Sequence, residues 1–295
     1  MTIFSAQVFQ NEYMPAGGTD VDAVVTVETT AGGAVAKTQE RVEVIVIDCS
    51  GSMKEEGGAK MESARRATMA AIDILSDGTY FAVVAGTSTA WPLYPSSVGL
   101  VRADAQTKAE AKQMVARVRP KGGTAMGTWL RASNQLFAQM PGAIAHCILL
   151  TDGKNQHEKD WELDAAIAEC VGRFQCDARG LGADWNVAEV RKIGTALLGT
   201  VDIIPSPADM EAEFAKLTTQ AMSKAVAKVE LRLWTPQGAT VQFVRQVAPT
   251  IEELTGRGAQ VDNLMADYPL GAWACLLYTS PSPRDATLSR MPSSA

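Results

Sequence analysis

Five short, nearly continuous apolar runs, at residues 42–47, 80–85, 144–150, 176–182 and 200–204, punctuate the middle of the chain. Each gives way to a stretch whose apolar positions repeat at helical spacing. Strands buried on both faces need continuous runs, and their alternation with helices predicts a doubly wound, mostly parallel sheet of Rossmann-like α/β class. Helices are expected at 60–75, 104–118, 125–140, 160–174, 186–198 and 207–227. In the first, Met61, Ala64, Thr68, Ala71, Ile72 and Leu75 share one face, while Glu62, Arg65, Arg66 and Asp73 lie mostly off it. In the last, Met210, Phe214, Leu217 and Ala221 fall in register. A short edge strand is expected at 88–92, around Thr89, Ala90 and Trp91.

Outside residues 41–227 the period drops to two. Residues 4–10 and 21–29 read as strands, the second with Val21, Ala23, Val25 and Val27 alternating with their neighbours, and with Gly17-Gly18 and Gly32-Gly33 as turns. After Ala227, Val229, Leu231 and Leu233 alternate with Glu230, Arg232 and Trp234. Thr235-Pro236-Gln237-Gly238 is expected to turn the chain into a strand at 240–247, with another near 261–264. An isolated strand pair is not stable in water. The economical arrangement is therefore one small antiparallel β-sandwich made from segments 1–40 and 228–274, with the α/β domain of residues 41–227 inserted between them.

Residues 275–295, CLLYTSPSPRDATLSRMPSSA, differ sharply from what precedes them and resemble the in-frame translation of a transposon-type sequencing adapter. On that reading the segment is an artefactual, disordered tail, the natural chain departs near Trp273, and the sandwich is truncated. A natural Ser/Pro-rich tail is the alternative that composition allows.

A length of 295 residues, 46% apolar and 20% charged, suits one large α/β core plus a smaller module. The net charge of −6 argues against nucleic-acid or anionic-membrane partners, which are themselves negative. No run of about 18 apolar residues and no basic, apolar leader is seen, which points to a cytoplasmic protein. The cysteines Cys49, Cys147, Cys170, Cys176 and Cys275 form no Cys-x-x-Cys pair, so reduced, mostly buried thiols are expected rather than a zinc ribbon or redox motif.

The candidate chemistry lies at strand ends. Asp48 and Asp152 each follow an apolar run, and in a doubly wound sheet those ends line the ligand crevice where the strand order reverses. Two carboxylates pressed together repel unless a cation lies between them, and a hard divalent ion takes oxygen ligands. Ser50 and Ser52, two apart around Gly51, can turn both hydroxyls toward that ion, and Thr124 can supply a third from the loop Lys121-Gly122-Gly123-Thr124. Three neutral oxygens with water-bridged carboxylates would leave Mg²⁺ (or Mn²⁺) one open octahedral position for an acidic side chain of a partner.

Asp48-x-Ser50-x-Ser52, then Gly122-Gly123-Thr124, then Leu149-Leu150-Thr151-Asp152-Gly153, resemble in order and spacing the metal-ion-dependent adhesion site (MIDAS) of von Willebrand factor A-type (VWA) domains. The resemblance covers about residues 42–227 and is greatest to intracellular bacterial members with flanking β-sandwich segments. It implies that the Ser50, Ser52 and Thr124 hydroxyls contact the metal, that Asp48 and Asp152 act directly or through water, and that a partner's Asp or Glu completes the sphere. It also implies a protein-interaction module rather than an enzyme, with no catalytic residues.

An adaptor subunit of a motor-ATPase, chelatase-like complex would share the site; it would need a separate ATPase, because no phosphate-binding G-x-x-x-x-G-K-[ST] loop occurs here. A Mg²⁺-dependent hydrolase with Asp48 as nucleophile would require a second acid two residues on, where this chain has Ser50. His146 and Cys147 are adjacent in a strand and face opposite sides, so they cannot pair as base and nucleophile; His146 is expected to be a satisfied structural histidine. Cys49 is expected to point into packing. His157 is expected to be exposed near the metal face. The polar loop 154–160, with residues 53–55 and 91–94, is expected to rim the metal and select the partner, with Trp91 and Trp161 as candidate anchors, although helix-start packing suits Trp161 equally well.

Overall fold

Residues 42–47 are β-branched or acidic throughout and become the most enclosed strand of the molecule, with every residue from Val42 to Asp48 buried. The structure is a computed structural model and describes residues 2–11, 13, 16–31, 39–152, 155–181, 187–248 and 251–274. A hairpin, β1 (Thr2–Gln10) and β2 (Ala23–Ala31), precedes the core strand β3 (Arg41–Asp48). There follow α1 (Ala59–Ile74), β4 (Tyr80–Gly86), β5 (Ala90–Tyr94), β6 (Val101–Arg102), α2 (Ala105–Arg117), α3 (Met126–Phe137) and β7 (Ile144–Thr151). Then come α4 (Asp160–Cys170), β8 (Gln175–Leu181), α5 (Val187–Ala196), β9 (Val201–Ile204) and α6 (Met210–Ser223). The chain continues through β10 (Lys224–Trp234), β11 (Arg245–Gln246), β12 (Glu252–Glu253), β13 (Ala259–Asp262) and β14 (Met265–Ala274).

The central sheet has the order β5-β4-β3-β7-β8-β9, with β6 also on β4; β4, β3, β7, β8 and β9 run parallel. Alternation along each strand sends Ile45, Ile47, Phe81, Val83, Ile148 and Leu150 to the face covered by α1, α2 and α6. Val42, Val44, Val46, Val84, Cys147 and Leu149 go to the face covered by α3, α4 and α5. The predicted face of the first helix is the one that is buried. That helix opens on Gly58, whose φ of +90° an L side chain would resist. Asp104 is the N-cap of α2, accepting from Thr107 N–H at 2.7 Å while Thr107 Oγ1 receives the Asp104 N–H at 2.9 Å.

Two expectations need correction. The last helix stops at Ser223, not 227, because Lys224 turns extended and leads straight into β10, where it pairs with Ala274. Ala225 and Ala227 fit either period, and the sheet partner decides. Residues 240–247 are not a strand apart from β11; the partner of β10 is β14, from Leu233↔Ala266 and Trp234↔Met265 upward. Pro269 and Gly271 of β14 are accommodated beside a register shift at Val229/Glu230, with Gly271 at φ +80°. Both chain ends do supply antiparallel strands. Among the described residues these strands form two sheets, β1-β2 and β10-β14-β13. The Gly32-Gly33 turn and residues 275–295 lie outside the described residues.

A polar line crosses the otherwise apolar α6 face of the sheet. His146 on β7 bonds Glu43 of β3 through Nδ1 at 2.8 Å and Asp177 of β8 through Nε2 at 2.9 Å, and Asp177 also accepts from Thr200 N–H at 2.6 Å and Thr200 Oγ1 at 2.8 Å. Burial works to lower the imidazolium pKa, but the Glu43 carboxylate and the bonds to Asp177 and Glu43 raise it to about 9. Burial would raise Asp177, yet its bond to His146 and that ring's charge hold it well below the usual carboxylate range. His146 is therefore the structural histidine that its strand position suggests.

Two outcomes follow from this packing. A Cβ on Gly86 would stand 2.5 Å from the indole of the fully buried Trp129, so Gly86→Ala should destabilise the domain by about 1–3 kcal/mol in urea unfolding. Because the folded pKa of His146 lies above its ordinary 6.5, its contribution is complete below about pH 6.5 and is lost as pH rises through about 9. Wild-type stability should fall by about 2–3 kcal/mol between neutral pH and pH 10, at 1.36 kcal/mol per unit, and His146→Gln should flatten that slope.

Candidate metal centre

The chain leaves β3 through α1 to β4 on one side and later returns to β7 on the other, so the strand order reverses at β3 and a crevice opens beyond the C-terminal ends of β3 and β7. Asp48 ends β3, and Asp152 follows directly on β7. Asp48 is wholly buried. Its Oδ1 accepts the Ser50 N–H at 2.7 Å, which bends the chain into a turn, and its Oδ2 accepts the Thr151 hydroxyl at 2.7 Å. Burial pushes this carboxyl up to about 6, against the opposing pull of the Ser50 and Thr151 hydrogen bonds.

The turn aligns the serines. Ser50 Oγ and Ser52 Oγ lie 2.9 Å apart, and Ser52 Oγ donates to Asp152 Oδ1 at 2.6 Å. The second oxygen of Asp152 receives Lys60 Nζ at 3.0 Å, and the same ammonium reaches Glu55 Oε2 at 2.8 Å. Burial opposes the Lys60 charge, but these two bonds outweigh it and raise the pKa. Asp48, Ser50, Ser52 and Asp152 thus form one bonded cluster.

Thr124 is brought alongside by backbone. Lys121 N–H donates to Cys49 O at 2.7 Å and Gly51 N–H to Gly122 O at 2.9 Å, while Gly122 takes φ +74°. A Cβ on Gly51 would stand 3.1 Å from that carbonyl, so the two loops approach this closely because position 51 is glycine. Thr124, itself buried, gives its N–H to His157 Nδ1 at 3.2 Å and accepts the His157 N–H at 3.0 Å. Beyond it, the first amides of α3 donate to side chains of the loop after β7, Met126 N–H to Asn155 Oδ1 at 2.9 Å and Gly127 N–H to Glu158 Oε1 at 2.6 Å.

The other residues sort clearly. Cys49 is in the core, its thiol pushed up to about 12 by burial and by the Asp48 charge. Met53 is also core rather than rim, and Leu93 and Tyr94 are buried. Lys54, Glu55, His157 and Trp161 are exposed, and Lys121 Nζ sits 5.3 Å from the centre of the half-buried Trp91 ring. Gly153 lies outside the described residues. Among the described residues no group of three or more His, Cys, Asp or Glu side chains is placed to hold a metal ion; the cluster at the strand ends has two carboxylates, and its other side-chain oxygens are hydroxyls. The reading from residue types missed Lys60 and Thr151. Thr151 could have been found as the residue before Asp152 on the same strand; Lys60 carried no signal beyond its place in a helical first turn.

The von Willebrand factor type A domain family matches residues 43–203. A solved structure described as von Willebrand factor type A from Catenulispora acidiphila is 47% identical, with a TM-score of 0.88, over 92% of this chain and 62% of that one. The chain thus spans less than two thirds of that relative. Proximal thread matrix protein 1 of the mussel byssus, solved with a zinc-occupied MIDAS motif, shares the fold at 18% identity and a TM-score of 0.51, covering 67% of this chain and 50% of its own. The ArnB paralog VWA2 from Sulfolobus acidocaldarius does so at 17% identity and 0.51, over 92% and 67%. No curated protein matches. With the core matched by the family and nearly half of all aligned residues shared with one member, the chain belongs to the von Willebrand factor type A domain family.

Proposed function

We propose that residues 41–227 are a divalent-cation-dependent protein-interaction domain, with the strands of 1–40 and 228–274 as its accessory β segments. Asp48, Ser50, Ser52, Thr124 and Asp152 would hold Mg²⁺ or Mn²⁺ in a complete adhesion-type site. The observation that carries this reading is the 2.9 Å separation of the two serine oxygens between two acids. Adjacent oxygens of an octahedral shell with bonds of about 2.0–2.1 Å are separated by about that much, and an all-oxygen donor set suits a hard cation. The upward push on Asp48 supports it too, since a buried carboxylate at this place is relieved by a positive partner.

When bound, the cation supplies a Lewis-acidic position that a partner's Asp or Glu carboxylate can fill. The chain's part is to pre-position its oxygens: Asp48 fixes the serine turn through the Ser50 amide, and the Gly51–Gly122 contact brings up the Thr124 loop. The exposed Lys54, His157 and Trp161 would meet the partner around that point. Ser50 stands where a hydrolase with Asp48 as nucleophile would need its second acid, which favours binding over turnover. VWA domains generally mediate protein–protein interaction. Among the described residues no helix is long and apolar enough to cross a membrane. The four described cysteines are buried free thiols, which supports a reducing compartment such as the cytoplasm.

Calorimetry on the full chain should register Mg²⁺ or Mn²⁺ binding that Asp48→Ala and Asp152→Ala each reduce below detection, with circular dichroism unchanged. Undiminished binding in both variants would overturn the site. A pull-down with added Mg²⁺ should retain acidic-faced partners that a chelator releases.

A further inference from the structure

We infer that Lys60 is a built-in counter-cation of the metal site, which holds its divalent-ion affinity down and keeps positive charge available for the partner's carboxylate. The inference rests on the metal reading above and concerns a residue to which that reading assigns no role. Lys60 is the second residue of α1, delivered to the strand ends by the left-handed pair Gly57 (φ 66°) and Gly58 (φ 90°). Its side chain is 6% exposed. A cation at a helix N-terminus meets the positive end of the helix dipole, and burial adds desolvation, so local physics disfavours a lysine here twice. Rules of that kind are broken where a site requires it.

The ammonium is held at 3.0 Å from Asp152 Oδ2, opposite the oxygen that takes Ser52, and at 2.8 Å from the exposed Glu55. Lys60 therefore offsets acidic charge of the cluster from inside the protein, and shares that role between Asp152 and Glu55. Divalent-ion affinity rises with the charge of the ligand set. With Lys60 present, a loaded site carries one more positive charge toward an incoming carboxylate than it would without it; without it, the site holds its metal more tightly. The trade is weaker metal binding for stronger partner capture.

The test is Mn²⁺ binding, with no partner present, to full-length wild type, Lys60→Met, Lys60→Gln and Lys60→Arg, by calorimetry at near-neutral pH. Both neutral variants should bind Mn²⁺ about tenfold more tightly, equivalent to about 1.4 kcal/mol, and Lys60→Arg should stay close to wild type. Their melting temperatures should also rise more on adding Mn²⁺ than that of wild type. Gln keeps an N–H donor for Asp152, so if Lys60 only orients that carboxylate, Lys60→Gln will match wild type, which overturns the proposal. Gln also carries the test should the Met variant fail to fold. Wild-type binding with unchanged or weaker binding in both neutral variants sinks the role of Lys60 alone. Absence of Mn²⁺ binding from wild type and all variants overturns the metal site itself.

Discussion

The buried Asp48 carboxylate is the constraint around which this molecule is arranged. A carboxylate at the closed end of the central strand must be satisfied, and it is satisfied by the amide two residues on and by the hydroxyl at the end of the neighbouring strand. The first bond makes the turn that aligns Ser50 with Ser52; the second fixes how β3 and β7 finish relative to one another. The Gly122 loop then closes against that turn through backbone alone. Remove the carboxylate, and the serines, the strand ends and the third loop lose their common reference.

The same strand carries an acid at each end, and the two are treated differently. Glu43, near the start, is met through Oε1 by His146, which is in turn met by Asp177, so a line of side-chain bonds runs from β3 to Thr200, while Glu43 Oε2 has no hydrogen-bond partner among the described residues. Asp48, at the finish, is met by neutral donors only, and the acid beside it, Asp152, by an ammonium that it shares with the exposed Glu55. One end of the sheet sets its acids against a histidine; the other keeps hydroxyl oxygens and acids grouped at a crevice. The division explains why a histidine between two carboxylates is structure here, although on paper it is the more catalytic-looking group.

Much of this was legible in the chain. Continuous apolar runs mark strands with two buried faces, so β3, β4, β7 and β8 were found to within a residue or two, and helical spacing found the helices between them. Asp48, Ser50, Ser52 and Asp152 were legible as a cluster because the position of a strand end follows from its run, and sheet topology does the rest. The terminal strands were less legible, because a half-exposed strand depends on its partner: β14 contains Pro269 and Gly271, and only its pairing with β10 makes a strand of it. Lys60 was invisible for a similar reason. A lysine in a helical first turn looks solvated, and nothing local says that the turn is aimed at Asp152.

The close seat of His157 against Gly123 has a consequence for how this surface can vary. A Cβ at position 123 would fall within the His157 ring, and that ring is the acceptor for the Thr124 amide. Any side chain at 123 must displace the imidazole, and the Thr124 amide then needs another acceptor. Related sequences that enlarge residue 123 should therefore have abandoned histidine at 157, and the pair would drift together as a single inherited unit at the edge of the crevice.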